Sequence, residues 1–371
     1  MSAPVYLDWN ATAPLLPEAR AAWLAAQDAS WANPGSVHAY GQQARHTIDQ
    51  AKITIARLLG GAAHEWVVTS GGSESNALAI ASAMSTAGTI VCGATEHSSI
   101  LRNAESHAPV QKIPVDGAGR IDAAALGASL GAETRLVCMQ FANNELGVRQ
   151  DIPTLSAIVR AAAPQAWFHV DAAQGVGKTA VDVRKLGVDS VAVAGHKCGS
   201  PKGVGLLWVR SGKSIEALVR GGRQQQDRRS GTEDAALIAS LAAALEIRCT
   251  AMSAEATRQS ALLTETFADI SQRCPQAKWN GQAAPRLANV LNLSHPGVLA
   301  EAMVTRLDLA GFAVSRGSAC MSAGTAPTHV IAALGMPDDL ARSAIRVSIG
   351  WTTTATELAA FTASYAKCVL A

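Results

Sequence analysis

Between about residue 46 and residue 210, short runs rich in β-branched and aromatic residues alternate with longer stretches of helical character. Trp66–Ser70 (WVVTS), Thr89–Cys92 (TIVC), Leu136–Phe141 (LVCMQF), Trp167–Asp171 (WFHVD), Ser190–Ala194 (SVAVA) and Val204–Val209 (VGLLWV) predict strands. Glu74–Met84 and Ile152–Ala163 predict helices between them. Strands alternating with helices predict an α/β fold, with a mostly parallel sheet covered on both faces. In such sheets, ligands sit at the carboxyl ends of the strands.

After about residue 232 the pattern changes. A long Ala/Leu-rich helix is predicted from Asp234 to roughly Ile270, followed by a smaller α+β stretch with strands at Ala288–Leu293, Ala313–Ser315 and Ile345–Ile349. A chain of 371 residues exceeds the size at which one core usually stops growing. The expectation is therefore an N-terminal segment (1–15) that joins the small domain, a large domain (16–250) and a small C-terminal α+β domain (251–371).

Composition narrows the class. Apolar residues make up 49% and charged residues 16%, which suits a compact enzyme and not a disordered chain. The net charge of +2 comes without a long basic run, so no nucleic-acid partner is expected. The seven cysteines are odd in number and scattered, without C-x-x-C, which favours a reducing compartment over a disulfide framework. The N-terminal residues do not read as a signal peptide, and the apolar run from Ala235 to Ile247 is too short to span a bilayer. A cytoplasmic protein without membrane contact is expected.

Polar residues then gather at the predicted strand ends. Ser70-Gly71-Gly72-Ser73-Glu74-Ser75-Asn76 joins a strand to a helix, a place where free N–H groups attract an anion such as phosphate, although a tight turn with an N-cap serine would look the same. Asp171 ends a strand, where its carboxylate could pair with a protonated ring nitrogen or cap a loop. Lys197, in Gly195-His196-Lys197, could offer a nucleophilic amine or be a solvated lysine. His97, in Thr95-Glu96-His97, could stack on a planar cofactor and move protons, or be a satisfied loop histidine. Asn143-Asn144-Glu145 could bond a cofactor oxygen or make a turn. The H-x-C spacing of His196 and Cys198 lacks a second pair, so no metal centre is expected. Each piece is weak alone. Together they make a phosphate cradle, a stacking group, an amide, a ring-nitrogen acid and a Schiff-base lysine after successive strands, which is what a pyridoxal 5'-phosphate site requires.

With these pieces, and with Tyr6-Leu7-Asp8-Trp9-Asn10-Ala11-Thr12, Asn33-Pro34-Gly35-Ser36, His169-Val170-Asp171, Arg229-Ser230-Gly231-Thr232, Gly317-Ser318-Ala319-Cys320 and Ile345-Arg346-Val347-Ser348, nearly the whole chain resembles the cysteine desulfurases of the NifS/IscS group, within the class V aminotransferases. The resemblance implies the fold type I of pyridoxal-phosphate transferases, with a seven-stranded sheet in the large domain. It implies that Lys197 binds the cofactor and moves the substrate α-proton. Asp171 holds the ring nitrogen protonated, and His97 stacks on the ring as an acid–base group. Gln174 and Asn144 bond the phenolic side. Gly72, Ser73, His196 and Thr232, the last reaching across a homodimer, hold the phosphate. Arg346, with Asn33, binds the substrate carboxylate. Cys320 takes the sulfur of L-cysteine as a persulfide, leaving L-alanine, and passes it to an acceptor protein in iron–sulfur assembly or thiolation. Iron–sulfur contact would run only through that persulfide.

The chain departs from the group in places. Ala194 stands where Ser or Thr is usual, which removes one phosphate hydrogen bond. Arg223 to Arg228 replace a glycine-rich continuation after Gly221-Gly222, Asn76-Ala77 replaces Asp-Asn or Asn-Asn, and Cys198 follows the lysine where an apolar residue is commoner. Selenocysteine lyase, another class V aminotransferase and a catalytically poor paralogue acting as a partner protein are the alternatives.

Overall fold

The computed structural model describes residues 4–317 and 326–370. Its centre is a seven-stranded sheet in the order Trp66–Thr69, Gly205–Val209, Ser190–Ala194, Trp167–Asp171, Thr134–Gln140, Thr89–Gly93, Val110–Ile113. All neighbours are parallel except Gly205–Val209, which runs antiparallel to both of its partners. Crossover helices such as Gly72–Ala83 and Ile152–Ala162 connect parallel strands, as the spacing predicts. The inner strands Trp167–Asp171 and Ser190–Ala194 are buried at every position, so both sheet faces are covered.

Six of these strands match the predicted runs to within two residues at each end. The seventh, Val110–Ile113, lies at the edge with Gln111 and Lys112 exposed. Its polar residues face water and blunt an open edge, which is also why its sequence carries no apolar run. The opposite edge is covered differently. Gln225 is buried and its side-chain amide pairs with Val68 N and Val68 O (both 2.7 Å), in the manner of an extra strand residue. To aim it there, Gln225, Gln226 and Asp227 all take positive φ (51°, 62°, 60°), a conformation that costs about 1 kcal/mol or more per non-glycine residue. This is how the atypical Arg223–Arg228 segment is used.

The long helix runs unbroken from Ala235 to Arg273. Its first half buries Leu241 and Leu245 in the core of the central sheet, and its second half buries Leu263 and Ile270 in a separate cluster. That second cluster gathers Leu7, Leu291, Leu293, Val347 and Phe361 around an antiparallel sheet ordered Ile345–Ser348, Val290–Ser294, Lys278–Trp279. The N-terminal strand Val5–Tyr6 pairs in parallel with Phe312–Ala313, and Asp8 bridges to Ser348. The segment from Val5 to Asp8 is therefore fixed to the chain's last third.

Candidate active site

Four neighbouring strands of the central sheet deliver polar groups to one cavity of about 260 Å³. The strand Trp167–Asp171 ends on Asp171. The strand Ser190–Ala194 ends one residue before Gly195-His196-Lys197. The segment after Thr89–Gly93 supplies His97, and the segment after Thr134–Gln140 supplies Asn144. Gly72 and Ser73, at the start of the helix Gly72–Ala83, close one end of the cavity. That helix start needs a narrow path. An added Cβ at Gly205 would sit 2.6 Å from the Gly71 backbone, so the strand passes under the turn only as glycine.

Asp171 is buried, and each of its carboxylate oxygens receives one hydrogen bond. Oδ1 accepts from Ala173 N and Oδ2 from Asn76 Nδ2 (both 2.9 Å). Carboxylate oxygens have further lone pairs, and these leave room for a ring N–H. Asn76 is the knot of a longer network. Its Oδ1 accepts from His169 Nε2 (2.9 Å), its Nδ2 also donates to Ser99 Oγ (2.8 Å), and Ser99 Oγ meets His97 Nδ1 (2.8 Å). Ser99 N donates to the same Nδ1 (3.1 Å). With two donors on Nδ1, neutral His97 carries its proton on Nε2. Burial lowers the His97 pKa against the opposing pull of Asp171. His196 is pushed down to about 4 by burial and by the charges of Lys197, Lys202 and Lys178, and its Nδ1 faces Thr12 Oγ1 (3.0 Å).

The Lys197 ammonium donates to the backbone carbonyls of Asn10 and Ala11. Arg346, almost wholly buried, comes from the other sheet. Its guanidinium donates to Asp8 Oδ1 and to the Asn144 carbonyl (3.1 Å), while its Nε has no hydrogen-bond partner among the described residues. Arg346 lines the cavity, and a guanidinium there suits an arriving carboxylate.

The cavity thus brings together Gly72, Ser73, His97, Asn144, Asp171, Gln174, His196, Lys197 and Arg346, all expected from the sequence. Asn33 and Thr232 are exposed and lie outside its lining. Cys320 lies outside the described residues. The described flanks of its segment are held on Arg346 of the cavity wall and on Glu145, the residue after the lining Asn144. Ser315 and Arg346 exchange backbone hydrogen bonds, and Thr328 Oγ1 donates to the buried carboxylate of Glu145 (2.6 Å). An added Cβ at Gly317 would lie 2.7 Å from that same carboxylate.

Sequence reasoning missed Asn10, Asn76 and Ser99 as parts of the site. Asn76 carries a usable signal, since it falls one helical turn after Gly72 and so shares its face. Asn10 carries none, because it sits in an N-terminal segment whose placement depends on partners more than 270 positions away.

The residues fit pyridoxal phosphate on chemical grounds. A ring-nitrogen acid, an amine, a ring-sized space and a helix start for an anion converge on one cavity. The substitution at Ala194 also has a structural counterpart. An added Cβ at Gly72 would lie 3.2 Å from the Ala194 Cβ, so this stretch of the cradle is walled by small groups where a hydroxyl is usual.

A model of the family described as "Aminotransferase class-V" matches residues 5–361. The chain is 36% identical over 366 residues to a cysteine desulfurase IscS of Dictyoglomus turgidum, covering 96% of this chain and 92% of the relative. It is 37% identical over 363 residues to a cysteine desulfurase of Cereibacter sphaeroides, covering 95% and 92%. Among solved structures it resembles a NifS-like protein with a TM-score of 0.91 at 28% identity, covering 98% of both chains. It also resembles SspA, solved in complex with cysteine, with a TM-score of 0.80 at 28% identity, covering 93% of this chain and 98% of that one. The chain belongs to the class-V aminotransferase family, and within it to the pyridoxal-phosphate enzymes of the cysteine desulfurase group.

Proposed function

We propose that the chain is a cysteine desulfurase that converts L-cysteine and a thiol on Cys320 into L-alanine and a Cys320 persulfide. The observation that carries this reading is the convergence of Lys197, Asp171, His97 and Arg346 on one cavity. The sulfur then passes to an acceptor protein, in iron–sulfur cluster assembly or thiolation. The step balances: the Cβ–S bond of cysteine breaks, an S–S bond forms at Cys320, one thiol hydrogen ends on the new methyl of alanine and the other stays on the persulfide.

When bound, pyridoxal phosphate supplies an electron sink for the substrate's α-carbon. Gly72, Ser73 and His196 hold its phosphate, with Thr232 of a second copy. Asn144 and Gln174 bond its phenolic oxygen. Asp171 keeps a proton at its ring nitrogen. Arg346 fixes the substrate carboxylate through a guanidinium already braced by Asp8 and Asn144. Lys197 Nζ takes the α-proton. Neutral His97 offers its Nε2–H as a hydrogen-bond donor, and the ring acts as an acid only after it has taken up a second proton. We read residues 1–15 with 251–371 as one unit and 16–250 as another; the two largest apolar clusters support this, while a smaller one joins Leu146 and Val148 to Val330 and Ile331 across the boundary. We also read the protein as a cytoplasmic homodimer. The exposed position of Thr232 leaves it available to another subunit, and the six cysteines among the described residues are all free thiols.

The test is direct. Purified protein should bind pyridoxal phosphate with a visible absorption band and release alanine and sulfide from L-cysteine in the presence of a reductant. Cys320→Ala should keep the band and lose sulfide release. Equal sulfide release by that variant would remove the persulfide step, and a wild type that takes up no cofactor would sink the enzyme reading. Turnover of selenocysteine but not cysteine would move the assignment to a lyase.

A further inference from the structure

Lys178 has no part in the mechanism above, yet it lies next to the groups that do. It follows Gln174 by four residues in the turn after the strand Trp167–Asp171. Its side-chain nitrogen donates to Gln174 Oε1 and to Asn10 Oδ1 (2.8 Å). Gln174 Nε2 in turn donates to the Asn10 carbonyl (3.0 Å). An amide side chain can be placed with either end forward, and here its neighbours decide. Lys178 offers N–H groups and the Asn10 carbonyl only accepts. Turning the Gln174 amide round would set N–H against N–H at Lys178 and oxygen against oxygen at Asn10.

Asn10 cannot swivel to relieve that conflict. Its Oδ1 also accepts from Asn289 (3.0 Å), its Nδ2 donates to the Asn144 carbonyl (3.0 Å), and its backbone N–H donates to Ser348 Oγ (3.0 Å). Gln174 is therefore held with its oxygen on Lys178 and one N–H on Asn10, which leaves its second N–H for the cavity it lines. Burial, followed by the like charge of Lys197, pushes the Lys178 pKa down to about 7. Cys198, Arg248 and Arg346 are the other ionisable groups that act on it. The orientation survives deprotonation, because a neutral amine still has two N–H groups for its two acceptors.

We propose that Lys178 is a positioning residue that makes Gln174 an obligate hydrogen-bond donor into the cavity, so that the site selects an anionic phenolic oxygen on the cofactor ring. The inference rests on reading this cavity as a pyridoxal-phosphate site.

The experiment is a double-mutant cycle read by cofactor affinity. Absorbance titration of cofactor-free protein with pyridoxal phosphate gives dissociation constants for wild type, Lys178→Met, Gln174→Leu and the double variant. Each single change should weaken binding about tenfold, the worth of a hydrogen bond to a charged acceptor, and the double variant should be no weaker than Gln174→Leu. Wild-type affinity in Lys178→Met, or losses that add in the double variant, would overturn the proposal. A measurement on the unmutated protein decides the matter if Lys178→Met does not fold. With 15N-labelled glutamine, one Gln174 amide proton should shift when pyridoxal phosphate is added, and an unmoved pair would overturn the proposal. A wild type that binds no cofactor defeats the cavity reading itself, which keeps the two failures distinct.

Discussion

The two sheets meet at one cavity but contribute to it in different ways. The central sheet brings Asp171, Lys197, His97 and Asn144 on separate strand ends, so its part of the wall is built from many independent placements. The antiparallel sheet brings Arg346, carried on the strand Ile345–Ser348 and braced by Asp8. In the function proposed above, cofactor chemistry would fall to the central sheet and substrate recognition to the antiparallel one. Damage to one should leave a measurable remnant of the other.

The largest break in that division is at Lys197. Lys197→Ala should lose the absorption band of covalently held cofactor and reduce turnover by on the order of 10⁴-fold or more. It should retain cysteine recognition at Arg346, seen as cysteine protection of the cavity against chemical modification. Loss of protection together with turnover would show that the two functions cannot be separated.

Acid should strike the central sheet next. Burial pushes His169 down to about 4 from its ordinary 6.5, against the pull of Asp171. Between those values the unfolded chain binds more protons than the folded one. The stabilisation is therefore complete above pH 6.5 and is lost as pH falls toward 4, by on the order of 3 kcal/mol for a group so deeply buried. Urea unfolding of wild type and His169→Asn across this window measures it, and the variant should show a flatter acid limb.

Arg346→Lys touches the other sheet. A lysine keeps the charge but cannot reach Asp8, Asn144 and a carboxylate in one planar fork. The KM for cysteine should rise about 100-fold while cofactor affinity stays near wild type. A fall in cofactor affinity of similar size would erase the division of labour. The smallest effect should come from Ser99→Ala. It removes one of two donors from His97 Nδ1 and leaves the backbone N–H, so turnover should fall about tenfold or less, with a shift in the acid limb of the pH–rate profile.

Much of this was legible in the sequence, for physical reasons. Runs such as WFHVD and SVAVA are apolar because both sheet faces are covered, and polar residues that end several such runs together point to a ligand, though each alone could cap a loop. Lys197 and Asp171 could be found in this way. The edge strand Val110–Ile113 could not, because its exposed residues erase the apolar signal. Lys178 and Asn10 could not, because their contacts depend on tertiary approach and not on local pattern. Thr232 and Asn33 came only from resemblance, and a single chain leaves both at the surface.

The brace between Asp8 and Arg346, and that between Asn10 and Ser348, each join residues 338 positions apart. A ribosome makes Asp8 and Asn10 first and their partners nearly last. The central sheet can assemble while the chain is still being synthesised, but the segment whose carbonyls hold Lys197 gains its anchors at Asn289 and Ser348 only when almost all of it has emerged. A truncated translation product would then have the cofactor's lysine with its clamp anchored on the central sheet alone. Capture of pyridoxal phosphate in its working geometry would be a late event in the protein's life, a checkpoint that only full-length chains pass.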